Sequence, residues 1–224
     1  MGFLVGMSLA SLEARKENIE GDMIFNFSFL ALVFGIIGAR IFYVIEHFGY
    51  YAACPIEIIM LQHGGMSWFG GLILGSLAGL VYLKKKKVPQ YMVLDLVVPF
   101  VALAQAIGRI GCLLNGCCFG RVCRFGIYFS AHNAILIPTQ LYSSLLLLLI
   151  FIALRFLQDK PHKPGQILFV YLCLYSLKRF FIEFLRADNP RIIAGLTLFQ
   201  MISIFIFLAA AYKLIAINNS NNKT

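Results

Sequence analysis

The residues best suited to chemistry lie in one stretch, Gly-Arg-Ile-Gly-Cys-Leu-Leu-Asn-Gly-Cys-Cys-Phe-Gly at 108–120, with Cys123 just beyond it. Arg109 ends an apolar run, and its planar guanidinium suits a pair of phosphate oxygens. Gly108, Gly111, Gly116 and Gly120 let backbone approach a ligand or a neighbouring helix closely. A second stretch, 178–186, reads Lys-Arg-Phe-Phe-Ile-Glu-Phe-Leu-Arg. Arg179, Glu183 and Arg186 stand there at i, i+4 and i+7, so they share one helix face, with Tyr175 a turn further in. Two guanidiniums bracketing one carboxylate leave net positive charge for a ligand. The plainer alternative has Glu183 neutralising Arg179 while Arg186 snorkels to lipid headgroups. A third stretch, 64–71, sets Gly64-Gly65 and Gly70-Gly71 around Trp68 and Phe69. It is either a tight helix crossing with an interfacial aromatic anchor or a re-entrant segment lining a headgroup pocket.

Positioning these groups falls to apolar helices. The chain has 224 residues, 60% hydrophobic and 13% charged, with a mean hydropathy of +0.83. That is outside the soluble range and marks an integral membrane protein. A bilayer core of about 30 Å needs about 20 residues per helix, so this length accommodates roughly six or seven spans and leaves little room for a separate soluble domain. The expected fold is an all-α bundle of about seven transmembrane helices, one transmembrane domain over 1–224. Its first span, 1–10, is shortened, because ten helical residues rise only about 15 Å. The other spans are expected at 23–45, 67–83, 91–114, 139–157, 165–185 and 192–217.

The formal charge of +9 does not indicate nucleic acid, because the basic residues sit in short runs between apolar segments. Their pattern sets topology instead. Arg15, Lys16, Lys84, Lys85, Lys86, Lys87, Arg155, Lys160, Lys163, Lys213 and Lys223 make eleven on one side, against Arg121, Arg124 and Arg191 on the other. Basic residues near span ends stay inside, so the amino terminus is expected outside and the carboxyl terminus inside. The three chemistry-bearing stretches then share the outer side. Asp95 is expected at the inner interface, outside the site. Arg40 is either a snorkelling residue or a second phosphate contact.

Cys112, Cys117 and Cys118 have three readings: small apolar packing residues, disulfide partners, or nucleophiles and soft-metal ligands. The spacing C-x4-C-C-x4-C matches no standard zinc pattern and encloses no histidine, which places metal binding last. A bridge from Cys112 or Cys118 to Cys123 is the more plausible pairing.

Five segments together resemble the phosphatidylglycerol–prolipoprotein diacylglyceryl transferases of bacterial inner membranes. They are GARIFYV at 38–44, GGMSWFGGLILG at 64–75, GRIGCLLNGCCFGR at 108–121, PTQLY at 138–142 and RFFIEFLRAD at 179–188. The resemblance covers nearly the whole chain. It implies transfer of a diacylglyceryl group from phosphatidylglycerol to the lipobox cysteine of a prolipoprotein signal peptide, at the outer side of a bacterial inner membrane, with no metal and no cofactor. By resemblance Arg109 binds the lipid and Arg179 is essential, while Asn115, Gly116, Gly120, Glu183, Arg186, Gly70 and Gly71 fall on motif positions that contact substrate. The family usually has histidine at Phe69, asparagine at Cys112 and glutamate at Cys117. A proton acceptor must therefore come from elsewhere, and His63 and Cys117 are the candidates. The competing functions are a lipid-binding relative that does not transfer, and a thiol-based redox or soft-metal membrane protein. A transporter is disfavoured, because no internal repeat is visible and the charges gather at one face.

Overall fold

A computed structural model describes residues 1–17, 19–187, 189–193 and 195–219. Lys223 and Asp188, used above in the charge count and the last motif, lie outside the described residues. The helices are α1 (Gly2–Lys16), α2 (Gly21–Glu46), α3 (Phe48–Ala53), α4 (Trp68–Lys85), α5 (Gln90–Leu114), α6 (Thr139–Gln158), α7 (Gln166–Glu183) and α8 (Leu198–Asn219). Four of them, α2, α5, α6 and α8, are long and apolar enough to cross a membrane. Their outward faces are apolar too: on α8, Phe205, Leu208, Tyr212 and Ile215 are all exposed. Water does not favour such a surface, whereas lipid does.

Two short antiparallel hairpins interrupt the expected all-α pattern, β1 (Val122–Phe129) with β2 (Ala134–Leu136), and β3 (Arg191–Ile193) with β4 (Leu196–Thr197). The first replaces what reads from sequence as a plain polar loop. The second delays the last helix to Leu198, where Thr197 and Gln200 form a capping box. Gln200 N–H donates to Thr197 Oγ1 (3.3 Å) and Thr197 N–H to Gln200 Oε1 (2.9 Å). Two otherwise unpaired donors at the helix start are satisfied in this way. Helix α1 continues to Lys16, beyond the apolar 1–10 segment.

Chain contacts fall into two compact units, Ala10–Val93 and Met1–Leu9 with Leu94–Thr224. The first is organised by α2 against α4. A methyl group added at Gly38 would strike the Gly70 carbonyl and Leu74, and one added at Gly70 would strike the Gly38 carbonyl and Phe42. Only glycine at both positions lets these helices approach so closely. In the second unit α5, α6 and α7 share a core of Val98, Ala102, Ile150, Leu154, Ile167 and Tyr171. Asp95, 2% exposed, holds the start of α7. Its carboxylate accepts Gly165 N–H (2.5 Å) and Leu168 N–H (2.8 Å). It is a buried helix cap, because the orphan donors at the start of α7 attract a carboxylate into the bundle.

Candidate active site

Within the second unit the polar residues gather on α5, α6 and α7. Glu183 is the centre of this arrangement, its side chain fully buried. One oxygen accepts Asn189 Nδ2–H (2.6 Å) and Thr197 Oγ1–H (2.9 Å), and the other pairs with the Arg179 guanidinium at 3.1 Å. Arg179 also lies over the Phe199 ring, 4.6 Å from its centroid. Capping box, carboxylate and guanidinium thus form one chain of contacts, and Glu183 orients Arg179 for whatever the arginine faces.

Lys178, adjacent on α7, is a residue that sequence reasoning passed over. It is 6% exposed. Its Nζ donates to Ser143 Oγ at 3.2 Å and lies 4.4 Å from the Tyr175 ring centroid. Arg109, Arg179 and Arg186 are all within its electrostatic reach. Among the described residues neither Lys178 nor Arg109 has an ion-pair partner, while Arg179 pairs with Glu183. Cationic side chains in an apolar interior are costly unless countered, which favours an anion as the missing partner. The signal in the sequence was a lysine at the end of a long apolar run, overshadowed by Arg179 beside it and Arg186 beyond.

The end of the signature stretch is tied to the end of α7. Gly120 N–H donates to Ile137 C=O (2.9 Å), Arg121 N–H to Leu185 C=O (3.0 Å), and Gly120 bridges to Arg186. Beside this junction a cleft of about 250 Å³ is lined by Arg121, Arg186, Arg191, Glu183 and Asn189, among others. Arg121 and Arg191, read above only as outer-loop markers, join Arg186 there.

At the end of α5, Asn115 and Gly116 shape a helix cap. Gly116 N–H donates to Leu113 C=O (3.1 Å) and Cys117 N–H to Cys112 C=O (3.1 Å), the paired bonds of a Schellman turn. Gly116 supplies the required left-handed residue at φ +69°. The turn brings Cys117 and Cys118 back over Cys112. All six cysteines are free thiols. Cys112 therefore meets Cys117 and Cys118 rather than bridging to Cys123, because the cap reverses the chain immediately after the helix. Cys117 Sγ faces the Cys112 carbonyl at 3.7 Å.

The remaining sequence candidates belong to the first unit. Gly70 and Gly71 face α2, so their role there is helix packing rather than pocket lining. Arg40 is neither a snorkelling residue nor a phosphate contact. It is 5% exposed and donates to the carbonyls of Glu57, Ile58, Met60, Gly64 and Gly65. A guanidinium with five rigid donors can gather such a loop, which has few backbone partners of its own. His63 lies at the end of that loop, 4.0 Å from the Glu57 carboxylate. It lines a cleft of about 490 Å³ with Tyr43, His47, Tyr50, Tyr51 and Glu57. Tyr50 Oη–H donates to Glu57 at 2.8 Å, and this bond to a carboxylate pushes its hydroxyl pKa up. Phe69 packs edge-on against Trp68 at 5.3 Å.

Apolar helices carrying a buried lysine beside partly buried arginines define a helical membrane protein with an electropositive polar cluster. Residues 1–216 match the family model described as prolipoprotein diacylglyceryl transferase, and the chain belongs to that family. It is 33% identical over 219 residues to the phosphatidylglycerol–prolipoprotein diacylglyceryl transferase of Clostridium tetani, covering 95% of this chain and 88% of the relative. It is 34% identical over 223 residues to the transferase of that name from Clostridioides difficile, covering 99% and 90%. The corresponding Streptococcus agalactiae protein is 34% identical over 224 residues, covering 96% and 87%.

Proposed function

We propose that the protein transfers a diacylglyceryl group from phosphatidylglycerol to the lipobox cysteine thiol of a prolipoprotein. The observation that carries this reading is the cluster of Arg109, Lys178 and Arg179, in which Glu183 pairs with Arg179 and, among the described residues, Arg109 and Lys178 have no ion-pair partner. An anionic phosphodiester supplies the missing counter-charge. In the reaction the peptide thiol loses its proton, its sulfur bonds to the glyceryl carbon, and the carbon–oxygen bond to phosphate breaks. The electron pair leaves on glycerol phosphate, so negative charge accumulates where Arg109, Lys178 and Arg179 hold their donors. Glu183 fixes the orientation of Arg179, and Arg186 extends the cationic surface toward the outer cleft.

For the proton acceptor, the sequence candidate His63 is half-exposed, lines a cleft within its own unit and has Glu57 beside it to orient or balance its ring. Cys117 is the weaker candidate, its sulfur being turned to the Cys112 carbonyl. Seven spans, α1, α2 and α4 to α8, with the amino terminus outside and the active side facing outward from a bacterial inner membrane, agree with the excess of basic residues at one set of span ends.

Incubating purified protein with labelled phosphatidylglycerol and a lipobox peptide tests this directly. Lipidated peptide and released glycerol phosphate are expected in equal amounts, and Arg109→Ala should abolish both. Phe69, Cys112 and Cys117, where the family usually has polar residues, favour a second reading, a relative that holds the lipid without transferring it. Lipid binding without lipidated peptide, together with failure to rescue a transferase-depleted bacterium, would decide for that alternative.

A further inference from the structure

We propose that Cys112, Cys117 and Cys118 form a three-thiol site for a soft, thiophilic cation, copper(I) being the ion whose chemistry fits. Their three sulfurs all lie within 4.8 Å of one another. Three thiolates around one such ion at about 2.3 Å stand about 4 Å apart, so each sulfur needs to shift by only a few tenths of an ångström.

The trio is held from the backbone. Cys117 N–H is bonded into the cap of α5, Gln140 Nε2–H donates to the Cys117 carbonyl (2.7 Å), and Thr139 Oγ1–H to the Cys118 carbonyl (2.6 Å). Cys118 sits at φ +62°, a conformation that side-chain-bearing residues rarely adopt. Those contacts keep it there, with its thiol turned toward the other two. All three residues are partly exposed.

The donor set also selects the ion. Thiolates favour soft metals. Structural zinc takes four protein ligands, and among the described residues only these three converge. His132 is engaged elsewhere, facing the Gly116 carbonyl at 3.0 Å and packing at a tilt on Phe119. Three thiolates and one copper(I) carry two net negative charges, and Arg109, three residues before Cys112 on the same helix, offers a counter-charge. Binding releases the three thiol protons to solvent, with no change of oxidation state.

Reduced full-length protein in detergent, titrated with copper(I) against the chelator bicinchoninate under argon, tests this. One copper(I) per chain should be withheld from the chelator. Cys112→Ser, which leaves the cap intact, should lower retention at least tenfold, and C112S/C117S/C118S should abolish it. C54S/C123S/C173S should retain the wild-type equivalent. Equal retention by wild type and the cluster triple variant would overturn the proposal, as would retention that follows Cys54, Cys123 and Cys173. Zinc withheld in place of copper would overturn the choice of ion, and no retention of either metal would overturn the site. The titration contains no lipid or peptide, so a negative transferase assay and a negative copper titration remain separate results.

Discussion

Arg179 and Glu183 pair at 3.1 Å across one turn of α7, with the carboxylate fully buried and the guanidinium side chain 13% exposed. The pair is arranged for orientation more than for stability. Taking both charges out of water costs about as much as their attraction returns, whereas leaving one of them alone is strongly destabilising.

Glu183→Gln should therefore destabilise the protein by about 3 kcal/mol, read as a lowered thermal midpoint in detergent. The paired replacement Arg179→Met with Glu183→Met should recover most of that loss while lipid transfer stays absent. Recovery of activity in the double variant would show that Arg179 serves only to balance Glu183.

Lys178→Met should raise KM for phosphatidylglycerol about tenfold, near the value of one charge-assisted hydrogen bond, with KM for the lipobox peptide unchanged. Lys178→Arg keeps the charge and should stay within about threefold of wild type if the anion contact is chiefly electrostatic. A parallel change in both KM values would assign Lys178 to packing.

Arg40→Lys keeps one charge but loses the fork that reaches five carbonyls. Both Arg40→Lys and Arg40→Met should cost roughly 3 kcal/mol and speed proteolysis within residues 54–66. Lipid binding by the folded fraction should be unaffected, which separates a loop clamp from a phosphate contact.

Gly116→Ala places a side chain at φ +69° and should cost about 1 kcal/mol or more. The cap would loosen and Cys117 would leave Cys112. A short bifunctional thiol reagent that joins these two cysteines in the wild-type protein should do so at least several-fold more slowly in the variant.

The sequence by itself determined the membrane class, the approximate limits of long helices such as α2, α5 and α6, and the family. These follow from uninterrupted apolar length, basic residues at span ends and motifs read in order, all of them local properties of the chain. The Arg179–Glu183 pair was legible for the same reason, since helical spacing alone sets which residues share a face. Tertiary structure decided what each polar group meets. Asp95 turned inward because the unpaired amides of α7 needed an acceptor, and Arg40 was claimed by a loop whose carbonyls converge on it. Gly70 proved to be a packing residue because only the partner helix shows how little space lies opposite it. Lys178 emerged because its Ser143 and Tyr175 partners, and the scarcity of carboxylates around it, depend on how the helices pack. The three thiols came together through a helix cap, since a left-handed turn at Gly116 reverses the chain in a way that linear spacing does not reveal.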